Sequence, residues 1–212
     1  MRVNEQRNLV FPVVTEQVTK KVDGKDVTEE IVRVYAYHTP ISREVYELNF
    51  RVLAATRSAL SSRGMHYLTS TGPRIAALTL KDEGRKDAAA RGSFDKDGHV
   101  VDSETNAFID ELKRLTVMLC PGQQGWDQLP VETAISSGKI DAEDWQEALA
   151  GIVFFTCHYA MARKADRETA ANGTALVLNA SITSSTPTEF AASLPSLTPA
   201  QPTTGQRSSI PS

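Results

Sequence analysis

The feature that most constrains this chain is a 15-residue apolar run at 148–162, ALAGIVFFTCHYAMA. A bilayer span needs about 20 predominantly apolar residues, and Thr156 and His158 interrupt this one, so it reads as a buried core helix. Asp141 is placed to cap that helix, which is predicted from Ala142 to about Arg163. Trp145, Leu149, Ile152 and Val153 form one apolar stripe along it. Phe154, Phe155, Tyr159 and Met161 add a second apolar face. A helix that is apolar nearly all round is either central in its own fold or half-buried in a partner, and the spacing alone leaves both open. Phe154, Phe155 and Tyr159 are therefore candidate contacts to a client chain or to a second copy.

Length and composition bound what the whole chain can be. Its 212 residues suffice for one domain, or a domain and a tail. Apolar residues at 41% and charged residues at 23% exclude disorder throughout, collagen and coiled coil. With 23 basic against 26 acidic side chains, no cationic surplus exists to neutralise a nucleic-acid backbone. Cys120 and Cys157 each sit in an apolar run, as small hydrophobes suited to a reducing compartment. The first residues, Met1 to Glu5, lack the apolar core of a signal peptide, so a soluble cytoplasmic protein is expected.

Two β-branched and aromatic segments, around Leu9–Val14 and Ile31–Tyr37, flank Asp23-Gly24 and predict an N-terminal β-hairpin over residues 1–40. Pro12 pushes its first strand toward an edge. Helical spacing then takes over through residues 41–180. A first helix starts after Ser42, with Val45, Leu48, Val52, Leu53, Thr56 and Leu60 on one side. A second starts at Pro73 and is expected to dissolve in the charged segment at 81–87. A third starts near Ser103, carries Phe108, Leu112, Leu115 and Leu119, and stops at Pro121-Gly122. The fold class is thus mainly α with an N-terminal β-hairpin (α+β).

Residues 181–212 have a different character. Nineteen of these 32 are Ser, Thr or Pro, and only Glu189 and Arg207 are charged. Such a segment buries too little apolar surface to offset its ordering entropy, which predicts a disordered tail. Phe190, Leu194 and Leu197 interrupt it, as a dock onto the chain's own domain or as a recognition motif for another.

One loop resembles a cation site. Laid on a twelve-residue calcium loop that starts at Ser93, Asp95 and Asp97 fall at positions three and five. Gly98 then falls at six and Glu104 at the bidentate twelfth. Ser93 removes the carboxylate from position one and Val101 offers no side-chain oxygen at nine, so the set is short of ligands. The alternative is a surface turn around Asp97-Gly98 followed by a helix cap. His38, His66, His99 and His158 have no zinc spacing, and nucleophile elbows and phosphate cradles are absent from the sequence. No catalytic residue, cofactor or resident metal is expected.

The order of these parts resembles the tail assembly chaperones of long-tailed bacteriophages. The likeness runs through Tyr37-His38-Thr39-Pro40-Ile41-Ser42-Arg43-Glu44-Val45-Tyr46 after the β segment, then Leu129-Pro130-Val131-Glu132-Thr133-Ala134 and Ile140-Asp141-Ala142-Glu143-Asp144-Trp145. It continues in Ile152-Val153-Phe154-Phe155-Thr156 and the Ser/Thr/Pro segment with Ser184-Ser185-Thr186-Pro187-Thr188-Glu189-Phe190 and Ser193-Leu194-Pro195-Ser196. The resemblance implies a non-enzymatic protein of the infected cell's cytoplasm, absent from the finished virion. It would bind and solubilise the long helical tape measure protein, help assemble tail tube subunits around it, and self-associate. No nucleic acid or membrane partner is implied, and the family supplies no catalytic residues. Two alternatives from other classes are a structural phage protein of the head–tail junction and a calcium-binding module using Asp95, Asp97 and Glu104.

Overall fold

The computed structural model describes residues 7–22, 25–123 and 125–195. Strands β1 (Asn8–Val22) and β2 (Lys25–His38) form the expected hairpin, antiparallel from Leu9 opposite His38 to Val22 opposite Lys25. Its predicted turn, Asp23-Gly24, lies outside the described residues. The register slips on either side of Val14, beside Pro12, whose missing N–H cannot join a ladder.

The hairpin is the middle of a larger sheet. Strands β3 (Thr116–Gly122), β4 (Gly125–Pro130) and β5 (Ser181–Thr183) extend it to five antiparallel strands in the order β4-β3-β2-β1-β5. The third predicted helix is therefore shorter than its periodicity suggests. It becomes α4 (Ser103–Arg114), and Thr116, Met118 and Leu119 instead pair with His38, Ala36 and Tyr35. The open edge of β2 offers these residues a ladder, and Thr116-Val117 is β-branched, so pairing outweighs helical spacing.

The sheet's alternation gives it two different faces. Leu9, Phe11, Val34, Ala36 and Met118 point into the helical core. Val10, Tyr37 and Leu119 point to the opposite side, into a second, smaller cluster.

Helices α1 (Arg43–Ser61), α2 (Met65–Ser70), α3 (Gly72–Ala90), α5 (Val131–Ser136), α6 (Ala142–Tyr159) and α7 (Arg167–Val177) complete the body. Ser42 caps α1 through Val45 N–H as expected, but Leu48 is 77% exposed, because burial on α1 begins at Val52. Helix α3 runs straight through the charged segment that was expected to end it. Ala76, Ala77, Leu80, Gly84 and Ala88 form a narrow buried stripe, while Lys86 pairs with Asp82 and Glu83 outside. Small residues at helical spacing let a mostly polar sequence remain a core helix.

Helix α6 is the centre of the molecule. It contacts α1, α3, α4, α7 and β1, and twelve of its eighteen residues are buried. Asp141 and Asp144 form a capping box at its start. It ends at Tyr159, short of Arg163, which is already extended and leads into a 3-10 turn (Lys164–Asp166).

Residues 181–195 are not a disordered tail. They supply β5, beside β1, and a capped helix α8 (Pro187–Ser193). Backbone pairing of Ser181–Thr183 with Asn8–Val10, together with the Thr186–Glu189 capping box, satisfies polar groups that composition alone leaves to solvent.

Candidate functional site

Phe154 and Phe155 are 2% and 0% exposed, and Tyr159 is 9% exposed. Phe155 stacks on Tyr159 with ring centroids 5.1 Å apart, and both belong to the main core. Their surface is consumed within the chain, which is the central-helix alternative. Phe154, although buried, also borders a groove.

That groove has a volume of about 600 Å³. It lies between α2, the end of α6 and α7, where Met65, Leu68, Met161 and Val177 present apolar surface beside the buried Phe154. Met65 is 72% exposed, and unbranched methionines adapt to partners of varied shape. Arg57, Arg163 and Asp166 also line the groove, so its lining carries both charge signs.

Gly173 lies on the α7 wall of the groove, and a Cβ there would meet nothing within 4 Å. A glycine inside a helix costs about 1 kcal/mol relative to alanine. Here no neighbour in the chain requires it. Its missing side chain leaves that part of the groove wall open.

His158 also lines the groove. Its Nδ1 lies 2.7 Å from the Phe154 carbonyl, which only accepts, so Nδ1 carries the proton and Nε2 is left buried without a donor. Burial holds its pKa below the usual imidazole value, keeping the ring neutral in this apolar setting.

The C-terminal cluster resolves into a dock onto the chain's own sheet. Phe190 sits over Tyr35 and Tyr37, each 6.3 Å away between ring centroids, and Trp126 closes on Tyr35 at 5.5 Å. Leu194 packs in the same cluster. Trp126 Nε1 donates to the Pro195 carbonyl at 3.1 Å. Leu197 lies outside the described residues.

The loop at 93–104 is organised around its own backbone. The Asp95 carboxylate accepts the N–H groups of Asp97 and His99, which holds its pKa below the ordinary carboxylate value. Gly98 takes φ +81° and Phe94 bridges Val100, as a tight surface turn requires. Asp95, Asp97 and His99 bring ligand atoms within 4.8 Å of one another, all on exposed side chains. Glu104 is not among them, because its carboxylate pairs with Arg91. The expected twelfth ligand is therefore committed elsewhere.

Neither cysteine is poised as a nucleophile. Burial pushes the Cys157 thiol up to about 12 and the Cys120 thiol to about 11. Among the described residues, no helix is long and apolar enough to cross a membrane.

Compared with known protein families, curated proteins and solved structures, the chain matches none. The groove and the sheet cluster therefore have to be read from their own chemistry. Of the groove-lining residues, the apolar run pointed to Phe154 and Met161 but not to Met65, Leu68, Gly173 or Val177. The missing signal is a contrast that only coordinates supply: a mid-helix glycine with no neighbour.

Proposed function

We propose that the chain is a non-enzymatic tail assembly chaperone of a long-tailed bacteriophage. In this reading it holds apolar helical stretches of the tape measure protein in the α2–α6–α7 groove, and helps recruit tail tube subunits around that protein. The likeness in order of parts and short sequence phrases supports the family. The observation that carries the mechanism is the open groove wall at Gly173, in a groove that exposed Met65 also lines.

An amphipathic helix laid in an apolar groove is read through side chains at i, i+3, i+4 and i+7. Methionines tolerate imperfect fit, which suits a client presenting many different apolar segments. Each contact is weak, and many copies along one extended client add avidity. The protein works in the host cytoplasm and leaves before the virion is finished.

Co-expression with the tape measure protein tests this directly. The account expects the tape measure protein to move from the insoluble to the soluble fraction and to co-purify with the chain, while purified virions lack the chain by mass spectrometry. A tape measure protein that stays insoluble overturns the chaperone reading, and stoichiometric presence in virions points instead to a structural protein of the head–tail junction.

A further inference from the structure

The groove between α2, the end of α6 and α7 carries charge that its apolar lining does not explain. Arg57, Arg163 and Asp166 line it, two cations against one carboxylate in a chain whose net charge is −3. These groups gather at one end. Arg163 follows the end of α6 and Asp166 precedes α7, while Val177 closes α7 on the far side. Burial holds the His158 pKa low and the Arg57 charge lowers it further, so the Arg57 guanidinium also lies near the end of α6. Helix α7 is eleven residues long, which sets about 16 Å between the charged and the apolar ends.

Arginines elsewhere in the chain find carboxylates within it: Arg7, Arg33, Arg43, Arg51, Arg91 and Arg114 are all paired. Among the described residues, Arg57 and Arg163 have no such partner, and neither pairs with Asp166. Arg57 is half-buried, so water replaces the missing partner only in part. A guanidinium presents a planar fork of N–H donors, which a carboxylate meets with two parallel bonds. The last carbonyls of α6 offer only partial negative charge in its place.

On the reading that this groove holds a client helix, we propose that it selects helices carrying an aspartate or glutamate one turn beyond their apolar face, with Arg57 as the pairing cation and Arg163 as the second. The dimensions agree. An apolar face at i, i+3, i+4 and i+7 covers about 10 Å of a wall about 16 Å long, so the next turn of the client falls at the arginine end. Met65, Leu68, Met161 and Val177 take the apolar face. Two cations beside one carboxylate are too few for a nucleic-acid backbone, and they suit a single acidic side chain. The apolar contacts supply adaptable affinity, and the charge pair fixes which segment is held and in which register.

Fluorescence anisotropy on the full chain tests this, with labelled helical peptides that share one apolar face and carry Glu, Gln or Lys one turn beyond each end of it. The Glu peptide binds about tenfold more tightly than the Gln peptide, as one charge-assisted pair provides, and the Lys peptide binds more weakly than either. The preference narrows as salt rises. Arg57→Gln brings the Glu peptide toward the affinity of the Gln peptide and leaves the Gln peptide itself unchanged, which a loss of fold would not do. If the Arg57 variant melts early, Arg163→Gln in the exposed segment after α6 decides the matter by narrowing the same preference. Equal binding of the Glu and Gln peptides to the wild type, or an undiminished preference in the deciding variant, overturns the proposal and leaves the groove reading standing. No binding of any peptide at about 1 mM overturns the groove reading, and this proposal with it.

Discussion

The Tyr37 hydroxyl donates a hydrogen bond of 2.5 Å to the carbonyl oxygen of Ser185, 148 residues later in the chain. It joins β2, the central strand of the sheet, to the segment that leads into α8. Burial, with the nearby Glu189 carboxylate as a lesser cause, pushes the Tyr37 phenol up to about 12, so it stays a donor at any ordinary pH. The C-terminal segment is thereby part of the fold and not an appendage to it. Tyr37→Phe removes the shorter of two bonds to that carbonyl, which Asn8 Nδ2 also reaches at 3.3 Å, and is expected to cost about 0.5–1.5 kcal/mol in urea denaturation. Truncation after Ala180 is expected to cost more, since it also bares Tyr35 and Trp126 and removes β5. A truncated chain as stable as the full one would show that α8 does not hold the sheet.

His38 predicts an acid-side loss of stability. Its Nδ1 lies 3.0 Å from Thr116 Oγ1, and that hydroxyl already donates to the Leu112 carbonyl, so it accepts from His38. Nε2 is then buried with no partner, and burial lowers the pKa to about 3 from 6.5. The folded pKa is the depressed one, so the unfolded chain binds the extra proton between these values. Stability from this group is complete above pH 6.5 and declines as pH falls toward 3, by at most about 1.4 kcal/mol per pH unit. Denaturant titrations across that window, wild type against His38→Gln, should show a smaller slope in the variant. Parallel slopes would exclude His38 as a source.

Two helical glycines carry opposite predictions. A Cβ on Gly84 would collide with the side chains of Thr105 and Asp102, where the capped start of α4 crosses α3. Gly84→Ala is expected to destabilise by roughly 1–3 kcal/mol despite the better helix propensity. Gly173→Ala meets no neighbour and is expected to stabilise by roughly 0.5–1 kcal/mol. Thermal melts of both variants check the pair. The same sign at both positions would contradict the packing described.

Phe155 separates core from contact surface. It is fully buried against Tyr159, so Phe155→Ala should destabilise by roughly 3–5 kcal/mol, with loss of near-ultraviolet circular dichroism on mild heating. A folded variant that had lost only self-association would return Phe155 to the interface.

The elements that could be read from the sequence are those whose local signal and tertiary environment agree. The β1–β2 hairpin and the capped helices α1 and α6 are of this kind: Ser42 and Asp141 are local caps, and the strands alternate as the sheet requires. Elements that depend on a distant partner could not be read. Strand β3 needed the open edge of β2, and β5 needed the edge of β1. Helix α3 hides its buried stripe in alanines and glycines among charges. The groove was legible only through Phe154 and Met161, since Gly173 has no sequence mark distinguishing a cleared wall from a weak helix position.

The central claim is that the groove beside Gly173 takes an apolar helix from another chain. Gly173→Trp tests it most directly, because the side chain enters open space in the groove and leaves the core untouched. Fluorescence anisotropy with a labelled amphipathic helix from the tape measure protein should show binding to wild type and to Gly173→Ala. For Gly173→Trp, affinity should be weaker by about tenfold or more at a melting temperature no lower than that of the wild type. Equal affinity of the tryptophan variant and the wild type would contradict the account.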